Sequence, residues 1–262
     1  MTASAPAPFE RTTRHLDARV IDDAPALLEA SYRLRFQVYC HERGFLDAAD
    51  YPAGAEFDEF DAHAVHIGAV DGSGQLAGTA RLIRYSDLGL PLFRHCSIFP
   101  EHAETCRQPA VLEVSRLSVS RHYTRRDTDD AYGVNEREAA GRVVVRNKRR
   151  RVDGEVFLAV TKALYQASKR LGATHWLAAT ESSLHRILLR FGLPFRQVGP
   201  ESDYFGMVAP YLMEIAELDE VIASGRVAVL GEFADGLEPV LSPLPGGSPG
   251  VGRHAGSPRL VA

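Results

Sequence analysis

The run AVHIGAV, then DGSG, then QLAGTARLIR, across residues 64 to 84, limits the possible folds more than any other stretch of this chain. Two apolar segments flank a turn whose Asp and Gly residues suit a tight reversal. The stretch therefore predicts a β-hairpin, and with it an antiparallel pair inside a larger sheet. VLEVSRLSV, 111 to 119, predicts a further strand. Residues 153 to 171 carry apolar side chains at 156, 160, 163, 164, 167 and 171, with Gly172 where a C-terminal cap belongs, which predicts a long amphipathic helix. THWLAAT (174 to 180) then predicts a strand, SSLHRILLRF (182 to 191) a short helix with a Ser cap, and MVAPYLMEIAEL (207 to 218) a strand running towards a last helix near Leu218 to Ser224. Upstream, the stripe Leu27, Leu28, Leu34, Val38 and Tyr39 predicts a helix from about Asp23 to His41, with Arg35 beside the stripe. The order predicts an α/β (α+β layered) architecture with helices on a sheet.

A chain of 262 residues is long for one domain and short for two, so one core of roughly 200 residues with decorated ends is expected. Residues 1–14 and the Pro/Gly/Ser-rich stretch 236–262 are expected to lack fixed structure, leaving a domain over 15–235 with a polar, basic insertion at about 121–152. A formal charge of −4 gives no global pull towards nucleic acid or anionic membrane, so electrostatic recognition has to come from a local cluster. Cys40, Cys96 and Cys106 are odd in number and lack CxxC spacing, which argues against a disulfide framework and a structural zinc site. Neither a signal-peptide apolar run nor a membrane-length one occurs, and the expected compartment is the cytoplasm.

The stretch EFDEFDAH, 56 to 63, concentrates carboxylates around two phenylalanines. His63 and His66 lie close enough for a cation site, but the turn glycine and terminal Glu of an EF-hand-like loop are missing, so no metal is expected. Arg35, flanked by apolar residues on its helix, needs a carboxylate partner, and EFDEFD is the nearest source. The expectation is that Glu56, Asp58 and Asp61 bridge Arg35 and Arg81, with Phe57 and Phe60 anchoring the segment in the core. On VLEVSRLSV, strict alternation puts Glu113 and Arg116 on opposite faces; they share a cleft only if a bulge intervenes.

Four pieces stand in order: Arg35 with Tyr39 and Phe45; Glu56, Asp58 and Asp61 in E-x-D-x-x-D; Gly78 and Arg81 in GTARL; and Glu113, Ser115 and Arg116 in E-x-S-R. Together they resemble acyl-homoserine-lactone synthases and N-acyl amino acid synthases, acyltransferases of the GNAT fold, and in particular the PEP-CTERM/exosortase system-associated acyltransferases. Phe45 stands where the lactone synthases usually have Trp. The resemblance implies a central mixed, mostly antiparallel sheet flanked by helices. It also implies a splayed strand whose backbone N–H groups near Leu117 to Val119 hold a thioester carbonyl. Glu113, Ser115 and Arg116 become the catalytic candidates, and Arg35, Tyr39, Phe45, Glu56, Asp58, Asp61 and Arg81 the acceptor-binding ones. Whether the EFDEFD carboxylates touch the acceptor or only organise the arginines stays open.

Residues 121 to 154 lack the Gly-rich turn with which coenzyme A enzymes of this fold hold a pyrophosphate. They end instead in RNKRRR, where Arg146, Lys148, Arg149, Arg150 and Arg151 suit an acidic protein surface such as acyl carrier protein, the thioester donor of the resembled synthases. A single cluster without interleaved aromatics does not suit nucleic acid. The expected reaction moves a fatty acyl group from acyl carrier protein, or from acyl-CoA, to the amine of a small metabolite or amino acid, without a tightly bound cofactor. Glu113 is the candidate base and His66 the second. No His and Asp/Asn arrangement surrounds Cys40, so direct attack is expected over covalent transfer. The alternatives are a lactone synthase using S-adenosylmethionine and a silent carrier-binding module.

Overall fold

The computed structural model describes residues 16–123, 151–204 and 206–244, with the backbone alone for 151–153. At the centre of the hairpin, the Asp71 carboxylate accepts hydrogen bonds from the backbone N–H groups of Ser73 and Gln75, and Gly74 takes the positive φ (+84°) that the reversal needs. This turn sets β2 (Ala64–Val70) antiparallel to β3 (Leu76–Ile83), with His66 opposite Arg81. A short polar strand that composition did not signal, β1 (Asp17–Val20), pairs with β2 at the sheet edge.

Helices α1 (Pro25–Phe36) and α2 (Ala103–Cys106) precede β4 (Val111–Val119), which adds antiparallel to β3. The chain then crosses through α3 (Arg151–Arg170) and returns as β5 (His175–Thr180), parallel to β4, as a parallel neighbour requires. Helix α4 (Ser182–Arg190) and the short strands β6 (Arg196–Gln197) and β7 (Ser202–Asp203) lead to β8 (Met207–Glu214), which pairs antiparallel with β5 and continues into α5 (Ile215–Ala223). The sheet order is β1-β2-β3-β4-β5-β8-β6, with β7 on β8, and β4–β5 is the one parallel pairing described. The expected mixed, mostly antiparallel sheet flanked by helices is therefore present.

Both faces of the sheet are covered, and neighbouring strand residues divide between them. Leu82, Leu112 and Trp176 join one apolar cluster with α3, α4 and α5, while Ile83, Val111 and Leu177 join another with Phe60, Leu90 and Leu92. The α3 face of Val156, Phe157, Val160, Ala163, Leu164 and Ala167 is buried, and each of its larger side chains contributes about 1.5–3 kcal/mol by leaving water. Trp176 donates from its indole N–H to Ser168 Oγ at 2.7 Å, which ties β5 to that helix.

Several details differ from expectation. The first helix does not run unbroken to His41: α1 gives way to a π-helical turn over Gln37–Glu42, where Arg43 N–H bonds Val38 C=O. Glu181, not a serine, is the N-cap residue of α4, and Ser183 Oγ donates to its carboxylate. Helix α5 begins directly from β8 at Ile215, ahead of Leu218, because Ile215, Leu218 and Ile222 form one buried stripe. The chain also stays on the domain past residue 236: Arg170 holds Gly236 C=O at 2.9 Å and the Glu238 carboxylate at 3.0 Å, and Leu237 and Leu244 pack on the core. The stretches 1–15, 124–150 and 245–262 lie outside the described residues. No helix among the described residues is long and apolar enough to cross a membrane.

At Gly78 on β3 the helix α3 packs closely against the sheet. A Cβ there would lie 2.6 Å from Val156 Cγ1 and 3.2 Å from Ser118 O, and neither a β-branched side chain nor a backbone carbonyl can swing away. Gly78→Ala should cost about 1–3 kcal/mol of unfolding free energy in urea, as overpacking does.

Candidate active site

The sequence EFDEFD folds as an extended stretch that turns into a short 3-10 helix over Glu59–His63. Asp58 caps that helix by accepting from Phe60 N–H at 2.9 Å, while the Asp61 carboxylate reaches back to Asp58 N–H at 2.7 Å. In the extended part, side chains alternate. Glu56 is fully buried and Asp58 turns inward, so Phe57 points outward and is 58 % exposed, against the expectation that it anchors the core. Phe60 does anchor it, buried beneath the Arg94 guanidinium.

Three arginines from three different elements converge on these carboxylates. Arg35 of α1, 2 % exposed, donates to Glu56 at 2.5 Å and grips Asp61 with both terminal nitrogens at 2.6 and 3.1 Å. Arg81 of β3 makes a bidentate pair with Asp58, both bonds 2.7 Å, and reaches Asp61 at 2.8 Å. Arg116 of β4, which was not expected in this network, donates to Glu56 at 3.1 Å, reaches Asp58 at 3.5 Å and lies over the Tyr39 ring. Three guanidinium charges thus meet three carboxylates, the pairing that buried charges require. His66 extends the network: Nε2 lies 2.9 Å from Asp61 and Nδ1 2.6 Å from Asp22, so both ring nitrogens are engaged.

The electrostatics follow from this geometry. Burial favours the protonated forms of Asp61 and Asp58. Hydrogen bonds to Asp61 from His66 and Arg35, and to Asp58 from Arg81, together with the arginine charges, win and hold both below the usual carboxylate range. Burial works against the His66 imidazolium too, but its bonds to Asp22 and Asp61 raise it above the ordinary histidine value.

Glu113 and Arg116 share a cleft because β4 is bulged. Thr79 pairs with Ser118 but Arg81 with Ser115, so β4 carries one extra residue, and Arg116 takes the left-handed conformation with φ +55°. Ser115 Oγ accepts from Arg81 Nε at 3.0 Å. The β4–β5 pairing ends at Glu113 with Leu177, so β4 beyond that point keeps only β3 as a sheet neighbour. In the opening lie two adjoining compartments. A polar one of ≈ 90 Å³ is lined by Tyr39, Phe45, Arg81, Glu113, Ser115, Arg116 and Tyr204 among others. An apolar one of ≈ 100 Å³ runs under it between Leu117, Phe157, Leu164, Trp176, Leu184, Leu188 and Phe195.

Glu113 is 3 % exposed. Burial pushes its carboxyl up to about 7, against the opposing pull of the Leu92 N–H, donated at 2.9 Å, and of the Arg81 and Arg116 charges. Cys40, Cys96 and Cys106 are buried free thiols, each pushed upward by burial and so held neutral.

The catalytic and acceptor-binding candidates therefore gather at one place. Tyr204 and Thr180 were missed: a lone tyrosine in a polar loop and a threonine ending an apolar strand carry no motif. Arg146, Lys148, Arg149 and Arg150 lie outside the described residues, as does the side chain of Arg151, which opens α3.

His66→Gln keeps hydrogen-bonding capacity but not charge. Because its folded-state value is raised, the His66 contribution is fully present below pH ~6.5 and fades as pH rises through that raised value. The variant should lose more thermal stability at pH 6 than at pH 9; an equal loss at both would show that the charge is immaterial.

Residues 34–132 match the family model described as an acetyltransferase (GNAT) domain. Among solved structures, the chain resembles BjaI, a CoA-dependent acyl-homoserine lactone synthase solved with SAM and isopentyl-CoA, at 19 % identity and TM-score 0.56, over 85 % of this chain and 88 % of that one. It resembles TofI, solved with an inhibitor and MTA, at 19 % and 0.55, over 86 % and 98 %. FeeM, an N-acyl amino acid synthase from uncultured soil microbes, is similar at 16 % and 0.53, over 82 % and 98 %. No curated protein is close enough in sequence to count as a relative. At these identities the likeness to solved structures is one of fold. Residues 34–132 thus match a GNAT acetyltransferase domain, and the chain has the fold of these synthases.

Proposed function

We propose that this protein is an N-acyltransferase that moves a fatty acyl group from an acyl carrier protein thioester to the amine of a small metabolite or amino acid by direct attack. The observation that carries this reading is the meeting of an apolar compartment with a polar one at the split between β4 and β5, with buried Glu113 on the polar side. An acyl chain fits the first, an amine the second, and the thioester falls between them. β4 beyond Glu113, free of a β5 partner, is the place for the expected N–H cradle of the thioester carbonyl.

Glu113 is suited to act as the base. An α-ammonium with a pKa of about 8 passing its proton to an ordinary glutamate near 4.3 loses about 5 kcal/mol, whereas to a carboxylate near 7 it loses about 1. The neutral, buried cysteines support direct attack over a covalent intermediate. Glu56, Asp58 and Asp61 are already bonded to guanidinium groups, which favours an organising role for them over direct contact with the acceptor. The carrier-protein donor rests on the RNKRRR run, and the place among PEP-CTERM/exosortase-associated acyltransferases on the motif order alone.

The test is incubation with acyl carrier protein charged with long acyl chains, and in parallel with acyl-CoA, plus pooled amines and S-adenosylmethionine, followed by mass spectrometry. An acyl amide from the carrier-protein arm supports the reading. A lactone formed only with S-adenosylmethionine replaces it, and intact thioesters in both arms overturn it. In a reacting pair, Glu113→Gln should lower kcat at least 10²-fold, as loss of a general base does, and lack the acid limb near pH 7 expected in the wild-type kcat/KM profile. The same variant should be more stable than the wild type at pH 8, by roughly 3 kcal/mol. A raised carboxyl costs stability as it ionises, and glutamine still accepts the Leu92 bond.

A further inference from the structure

Thr180 ends β5, beyond Leu177, the last residue of that strand to pair with β4. By the two-residue strand period it shares a face with Trp176 and Ala178, and all three line the apolar compartment. Of the three, Thr180 alone also lines the polar one. It is 6 % exposed, and among the described residues its Oγ1 is the buried side-chain polar atom that has no hydrogen-bond partner. Other buried threonines here are satisfied: Thr161, on the same apolar wall, gives its hydroxyl to Phe157 C=O at 2.7 Å, and Thr79 gives its own to Ile67 C=O at 2.7 Å. Valine has the shape of threonine and would fill the position without an orphaned polar group, so the hydroxyl needs a reason. The junction of the two compartments supplies one. An acyl chain in the apolar side places its thioester there, and the oxygen that every acyl thioester carries at that point is its carbonyl.

We propose that Thr180 is a catalytic residue whose hydroxyl, turned towards the cleft by one χ1 step, donates to the carbonyl oxygen of a fatty acyl thioester and to the oxyanion that forms from it. The assignment rests on the acyl-transfer reading above. The acceptor ammonium first loses one proton through Glu113 to solvent. The amine nitrogen then forms a bond to the carbonyl carbon, and the carbonyl π pair moves onto the oxygen held by Thr180. The second nitrogen proton passes to Glu113. The oxyanion re-forms the carbonyl, the C–S bond breaks, and the departing thiolate takes that proton from Glu113, leaving an amide and a free thiol.

The experiment compares the wild type, Thr180→Val and Thr180→Ser. Infrared spectra of a decanoyl thioester of acyl carrier protein with an isotope-labelled carbonyl, bound without acceptor, report the ground-state hydrogen bond. The carbonyl stretch should be lowered in the wild type and in Thr180→Ser, and not in Thr180→Val. With the reacting amine added, Thr180→Val should lose about 10²-fold in kcat with KM little changed, as removal of an oxyanion donor does, while Thr180→Ser retains most of the rate. Thr180→Val should also melt at a higher temperature, because it removes an unpaired buried hydroxyl. A bound thioester whose carbonyl frequency and turnover are unaffected in Thr180→Val overturns the assignment alone. So does a loss confined to donors with an oxygen on the third acyl carbon, which places the hydroxyl further down the chain. A wild type that binds neither carrier-linked nor coenzyme A-linked decanoyl thioester overturns the acyl-transfer reading and this assignment with it.

Discussion

Arg35, Arg81 and Arg116 reach one loop from α1, β3 and β4, and the carboxylates of Glu56, Asp58 and Asp61 in that loop close all three charges. Burying these six groups is expensive, several kcal/mol for each ion, and even at an effective dielectric of about 20 a pair at about 4 Å returns only about 4 kcal/mol. The network is therefore a weak source of net stability. Its effect is positional: Glu56, Asp58 and Asp61 each bridge two of the three arginines, so removing any one guanidinium takes a partner from two carboxylates and leaves a net negative charge buried, and a helix, two strands and a loop cannot shift independently. The capping bonds made by Asp58 and Asp61 to their own backbone bind the loop conformation to the same condition.

The bulge in β4 depends on that network. A left-handed arginine costs of order 1–3 kcal/mol and persists where its surroundings over-determine it. Arg116 is held by Glu56, by Asp58 and by the Tyr39 ring beneath it. The extra residue brings Arg116 to the side of the cleft that Glu113 faces, and the end of β4–β5 pairing opens the cleft itself. The strain sits where the two compartments meet, which is where the proposed reaction places its thioester.

The sequence carried the scaffold plainly wherever periodicity was long or a turn was chemically explicit: the DGSG hairpin, the α3 stripe and the β5–α4 succession. It also carried the pairing of Arg35 and Arg81 with EFDEFD, because a buried arginine demands a carboxylate. Arg116 escaped since its place in the network depends on a bulge, and a bulge changes which face a residue takes without leaving a mark on composition. Phe57 was misread for a related reason: two phenylalanines three apart suggest one helical face, but the chain is extended at the first and helical at the second. Thr180 and Tyr204 were invisible because their importance lies in what stands opposite them across a gap between strands, a property that single-residue patterns do not record.

The closed network also explains how a buried glutamate stays near neutrality beside two arginines. Bare guanidinium charges at Arg81 and Arg116 would stabilise the Glu113 carboxylate and draw it down to an ordinary or lower value. Both arginines still pull the Glu113 carboxyl down, but Asp58, bonded to each of them, pushes it the other way, and desolvation outweighs each of these charges. By pairing with the arginines, EFDEFD helps leave the Glu113 carboxyl near 7, the value that the base role proposed for Glu113 calls for.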